Sequence, residues 1–205
     1  MGIFSRLLPS REERLTKEII AKVRQEQQPI SDLGAAIASA AMRCGEAMKP
    51  HVHFGSEEKN TEQAIYVCFE FLYFFMHMTD RIAYSQLGSD RRSKLMEALD
   101  PLIVGPAIDA FFDHWPEDRK AGMRSEFRRK LNIAQREYSA CRGLVSDVNP
   151  VTGDSLFSTL ARHVAELCGK SLTDPTAHVV PYGIAIEAWK QLQLDKHIEA
   201  VGKVL

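Results

Sequence analysis

Net charge is what this chain most plainly lacks. Across 205 residues, 26 lysines and arginines face 27 aspartates and glutamates, which leaves −1. That balance argues against recognition of nucleic acid through bulk positive charge, and equally against an acidic, disordered chain. Signals for a disulfide framework are missing as well. The four cysteines, Cys44, Cys68, Cys141 and Cys168, are widely spaced and form no C-x-x-C pair. Each sits in an apolar helical pattern, where a free thiol behaves as a small hydrophobe, so they are expected to be reduced core residues of a cytoplasmic protein. The opening MGIFSRLLPS carries only a few apolar residues before charge returns at Arg11, too few for a secretory signal. Gly2 does not make a myristoylation site, because Arg6 stands where that motif wants Ser or Thr.

Catalytic signatures are absent too. The sequence holds no G-x-G-x-x-G, G-x-x-x-x-G-K-[ST], H-E-x-x-H or G-x-S-x-G, which removes the motif-based routes to nucleotide binding, zinc hydrolysis and serine esterases. It also holds no Glu-x-x-His, the pair that di-metal helical bundles take from two of their helices. Internal repeats, low-complexity tracts and alternating strand patterns are not evident.

What is present is helical periodicity throughout. The sequence predicts an all-α fold, a single-domain bundle of six to eight helices over residues 1–205, built around a long central apolar helix at about residues 60–87. A capping box at Ser10 to Glu13 opens the first helix, Leu15, Ile19, Ile20 and Val23 give it an apolar face, and Pro29 ends it. A second runs from Ser31-Asp32 to Met48, rich in alanines that permit close approach of a neighbour. The third, central helix starts near Ser56 or Asn60 and stops before Gly88. A fourth begins at Ser89-Asp90, and Pro101 and Pro106 break its continuation into short pieces up to Trp115. A fifth runs from Pro116 to about Arg142, with Met123, Phe127, Leu131, Ala134, Tyr138 and Cys141 as its apolar stripe. Residues 143–153, GLVSDVNPVTG, read as a hinge loop. A sixth helix, capped by Asp154-Ser155, ends at Gly169, and a last one covers Tyr182 to Val201.

The run from Ala64 to Tyr84 nearly reaches the length of a membrane span, but Glu70, His77, Asp80 and Arg81 interrupt it. We therefore expect no transmembrane segment and a buried central rod. At 100° per residue, Tyr66, Glu70, Tyr73, His77, Arg81 and Tyr84 fall in one sector of about 80°. Buried ionisable groups are costly unless satisfied, so this stripe is either a structural network or the lining of a ligand pocket. Glu70, Tyr73, His77, Arg81 and Tyr84 are the candidate ligand-binding residues. His77-x-x-Asp80 and His163-x-x-Glu166 each offer a nitrogen and an oxygen on one helix face; if the two helices were neighbours, His77, Asp80, His163 and Glu166 would form a candidate metal site. No cofactor is predicted beyond that metal alternative.

Other features have plainer readings. His51 and His53 fall in a solvated loop, and Asp113-His114-Trp115 suits a helix C-terminus. The fifth helix is locally basic, which a solvated face with partial ion pairing explains, since no aromatics interleave its basic positions. Ile3, Phe4, Leu7 and Leu8 beside Arg6 allow a weak membrane-surface contact through residues 3–8. The expected function is that of a cytoplasmic helical interaction protein, without evident catalytic motif. A protein partner or self-association as a homodimer would use apolar surface such as Phe111, Phe112 and Trp115. The alternative is a small-molecule- or metal-binding bundle with its polar site on the central helix.

Overall fold

The computed structural model describes residues 11–145, 154–171 and 176–205, with side chains from residue 27 onward. The readings made for residues 3–8, the Ser10 cap, the first helix's apolar face and most of the 143–153 loop lie outside the described residues.

The architecture is all helical, and no helix among the described residues is long and apolar enough to cross a membrane. Among the described residues five helices have twelve or more residues: α1 Arg11–Met48, α2 Glu57–Phe111, α3 Glu117–Ser139, α4 Leu156–Leu167 and α5 Thr176–Leu192. A short α6, Leu194–Gly202, follows the left-handed Gln193. Against these five longer helices the predicted six to eight is slightly high, and proline is the main reason. Pro29 lies inside α1, and Pro101 and Pro106 lie inside α2. A proline's fixed φ is itself helical, so an internal proline removes one hydrogen bond and crowds one carbonyl. Here burial beside each proline outweighs that cost. Ile30, Leu33, Ile37, Ala40 and Ala41 are buried after Pro29, and Leu99, Ile103, Val104 and Ile108 around the other two.

The end predicted for the central rod at Gly88 appears as a kink within α2. Gly88 has φ 77° and ψ 175°, a backbone region essentially restricted to glycine. Upstream of it α2 starts where Ser56 caps it, its side chain accepting from the Lys59 amide at 3.3 Å. Every position from Val67 to Thr79 is buried, because α2 lies at the centre and packs against α1, α3, α4 and α6, while α5 covers α4 and α1. The alanine-rich half of α1 does let α2 approach closely: a Cβ at Gly45 would sit 3.0 Å from the Cys68 Cβ. The rest of the centre is aromatic. Phe69 meets Phe127 at 5.2 Å between ring centroids and Phe111 at 5.7 Å, and Phe74 meets Phe157 at 5.1 Å.

The apolar surface expected to serve a partner is largely used inside. Phe112 is buried and stacks on Trp115 at 4.2 Å, and Phe111 packs against the core. The basic face of α3 is likewise satisfied locally. Arg128 forks onto Asp100 of α2 (2.7–3.1 Å), Arg124 and Lys120 reach Asp109, Arg129 pairs with Glu126, Arg119 lies 3.5 Å over Trp115, and Lys130 lies over Tyr66.

Candidate functional site

Three helices deliver polar groups to one point. Glu70, on the buried stretch of α2, is 9% exposed. Tyr138 ends the apolar stripe of α3 and donates its hydroxyl to Glu70 Oε1 at 2.6 Å. His163 comes from α4, whose Ser155 cap fixes the start of the helix by accepting from the Ser158 amide at 3.2 Å. Its Nδ1–H donates to the same Glu70 oxygen at 2.9 Å. A carboxylate only accepts, so Glu70 dictates that Nδ1 carries a proton. The far nitrogen, Nε2, faces Glu137 Oε2 at 3.3 Å. Both ring nitrogens can donate at once only in the imidazolium.

Electrostatics follow this geometry. Burial pulls the His163 pKa down, but the hydrogen bond and charge of Glu70, with the charge of Glu137, outweigh it and raise it above its ordinary value; Arg162 opposes them. Burial also pushes the Tyr138 hydroxyl well up, helped by the charge and hydrogen bond of Glu70, so the phenol stays a donor. His77 is the opposite case. It is 3% exposed, burial and then the Arg81 charge lower its pKa to about 4, against the pull of Asp80, and its Nε2 has no hydrogen-bond partner among the described residues.

The predicted stripe is therefore split by depth. Glu70, Tyr73 and His77 are buried, but only Glu70 joins the cluster through hydrogen bonds. Tyr73 packs on Phe127 at 4.7 Å, and burial raises its pKa, with the Glu70 charge adding to the effect. His77 touches the Tyr138 ring at 5.4 Å between centroids. Arg81 is exposed and Tyr84 is 64% exposed, while Ala83 between them is buried, because beyond Thr79 α2 is covered on one face only. Both stand apart from the cluster despite sharing its angular sector.

The four candidate metal ligands are not assembled. The helices are neighbours as the metal reading required, but the Tyr138 ring contacts both imidazoles, 5.4 Å from His77 and 5.8 Å from His163. Asp80 is held in a two-pronged pair by Arg92 at 2.5 and 2.6 Å. Glu166 is exposed at a groove rim. Among the described residues no cluster of three or more histidine, cysteine, aspartate or glutamate side chains is placed to hold a metal ion.

That groove is the cluster's opening to solvent. It encloses about 650 Å³ between the end of α3 and the outer face of α4, and Glu137, Cys141, Arg142, Asp154, Thr159, Arg162, His163 and Glu166 line it. α3 and α4 each pack on α2 and meet one another through side chains, which leaves the space between them open. Backbone bonds clasp one end: the Leu156 amide donates to the Gly143 carbonyl at 2.9 Å and the Arg142 amide to the Asp154 carbonyl at 3.3 Å. Cys141 is half-buried there, its sulfur 3.3 Å from the Thr159 hydroxyl, whereas burial raises the Cys44 and Cys68 thiols to about 12 and leaves them inert. Sequence reasoning reached Glu70 and His163 but placed Tyr138 and Cys141 only in the core stripe of α3, and missed Glu137, Arg142, Thr159 and Arg162 as site residues. The available signal was a polar-tipped aromatic closing an otherwise apolar stripe.

The chain matches no family model, and no match to it was found among curated proteins or among solved structures.

Proposed function

We propose that this protein binds a small polar molecule in the groove between α3 and α4, with His163 as the central contact. The observation that supports the reading is the clamping of His163 between a buried carboxylate and an exposed one at the wall of that groove. The Glu70 contact is short and sheltered, so it fixes the ring. The Glu137 contact is longer and wet, so it is the one an incoming ligand replaces. A volume of about 650 Å³ falls within the range of small-molecule sites.

Side-chain and amide NMR of the full chain, titrated with a panel of cationic, anionic and zwitterionic fragments, tests this. Shifts at His163, Glu137 and Thr159 from at least one fragment class are expected, and their loss in His163→Ala. A panel that leaves those residues unmoved removes the reading.

Self-association or binding of a protein partner is the second reading. It is favoured by Val179 and Val180, adjacent on α5 and exposed at 53% and 37%. Sedimentation of the full chain checks its self-association arm: a concentration-dependent dimer that Val179→Asp weakens supports it, and a strict monomer ends that arm.

A further inference from the structure

Two guanidinium groups, those of Arg142 and Arg162, line this groove. From Arg119 to Lys130, every basic residue of α3 has a partner: a carboxylate for Lys120, Arg124, Arg128 and Arg129, an aromatic ring for Arg119 and Lys130. Arg142 and Arg162, which both line the groove, have no carboxylate partner among the described residues, and Arg162 makes one side-chain bond, to the Thr159 hydroxyl at 3.2 Å. Arg162 also lies near enough to His163 for its charge to act on the ring. Two planar forks and, when the ring is the imidazolium, the Nε2–H of His163 line one space and match the oxygens of a phosphate or carboxylate.

The same walls carry Glu137, Glu166 and Asp154. A bare anion entering there meets three carboxylates as well as the three donors. A ligand that places an amine or hydroxyl donor beside its oxyanion satisfies both sets. The volume leaves room for an organic molecule rather than an inorganic ion alone.

Resting on the groove reading above, we infer that the ligand is a small organic oxyanion that also carries a hydrogen-bond donor, its anionic group held by Arg142, Arg162 and His163 and its donor by Glu137, Glu166 or Asp154. The oxyanion displaces Glu137 from His163 Nε2 and leaves Glu70 on Nδ1.

Titration of the full chain with O-phosphoethanolamine, glycine, inorganic phosphate and ethylamine, followed by NMR at His163 and the groove amides, tests the inference. The first two carry both groups, on phosphate and carboxylate respectively, and tell the two oxyanions apart; the last two carry one charge each. Tighter binding of at least one amphoteric probe than of phosphate or ethylamine is expected. So is an affinity loss of about tenfold in Arg162→Gln and in Arg142→Gln, the scale of one charge-assisted hydrogen bond. Arg136→Gln, on α3 but outside the groove, should change nothing. Ethylamine shifting the groove while the oxyanions do not overturns this ligand class and leaves the groove reading standing. Equal losses in Arg136→Gln also overturn it, since the effect is then unspecific. If no probe moves the groove the inference fails, and if the wider fragment panel is also silent the groove reading fails with it.

Discussion

At the scale of single residues, Tyr138 is the side chain on which the polar cluster turns. Its ring contacts Phe74 at 5.6 Å between centroids and touches both His77 and His163, while its hydroxyl satisfies a buried Glu70 oxygen. Tyr138→Phe keeps the ring and removes one bond to a charged acceptor, so the expected loss is about 2 kcal/mol, read as a drop in the urea midpoint with unchanged slope. A loss under about 0.5 kcal/mol would mean the hydroxyl bond does not hold Glu70 in solution. Half of this cluster was legible in the chain. Glu70 stood out because a glutamate in an apolar run needs a partner, and His163 was noticed with a neighbouring acid. The residues that join them, Tyr138 and Glu137, come from α3, and Tyr138 stands 68 positions along the chain from Glu70. Helical periodicity on one element says nothing about which distant residue meets it. Angular sector alone also misled at Arg81 and Tyr84: the rotation around α2 was right, but the depth along its axis was not encoded in it.

At the scale of elements, apolar periodicity located the buried stretch of α2 and the stripe of α3; α2 is capped by Ser56, one of the two starts expected for it, and α4 by Ser155 of the expected Asp154-Ser155 pair. What sequence reading misjudged was proline as a stop signal, since whether a helix continues through it depends on the burial of its flanks, a tertiary quantity. Glycine proved the better marker. The kink at Gly88 lets α2 turn after the aromatic core, and α6 then packs beside it, the Arg91 guanidinium donating to the Gly202 carbonyl. Nothing lies within 4 Å of a Cβ built at Gly88, so the cost of Gly88→Ala is backbone conformation alone, about 1–3 kcal/mol at this φ and ψ. Thermal and denaturant unfolding of Gly88→Ala measure it. Stability equal to or above the parent would mean that α2 runs straight in solution, because in a regular helix the same substitution stabilises.

At the scale of the whole molecule, the two histidines that meet the Tyr138 ring pull stability in opposite directions with pH. His77 is buried neutral, with a folded pKa of about 4 against an ordinary value near 6.5. Below about pH 6.5 the unfolded chain therefore takes up a proton that the folded chain refuses. Stability falls as pH drops towards 4, by roughly 3 kcal/mol in all. For His163 the folded pKa is raised, the Glu70 and Glu137 carboxylates facing it and Arg162 opposing them. Its contribution is fully present below the unfolded value and is lost as pH rises through the folded one. The two limbs meet near pH 6.5, and each belongs to one residue. His77→Met should flatten the acid limb between pH 5 and 6.5 and raise the whole curve, because it also removes a buried nitrogen that has no partner among the described residues. His163→Gln should flatten the alkaline limb and leave the acid one in place. Urea unfolding of the parent and both variants at half-unit steps from pH 5 to 8.5 gives the curves. An acid limb that persists unchanged in His77→Met would show that this ring is protonated or solvated in the folded protein, and the dry core around Phe74 and Tyr138 would have to be redrawn with water inside it.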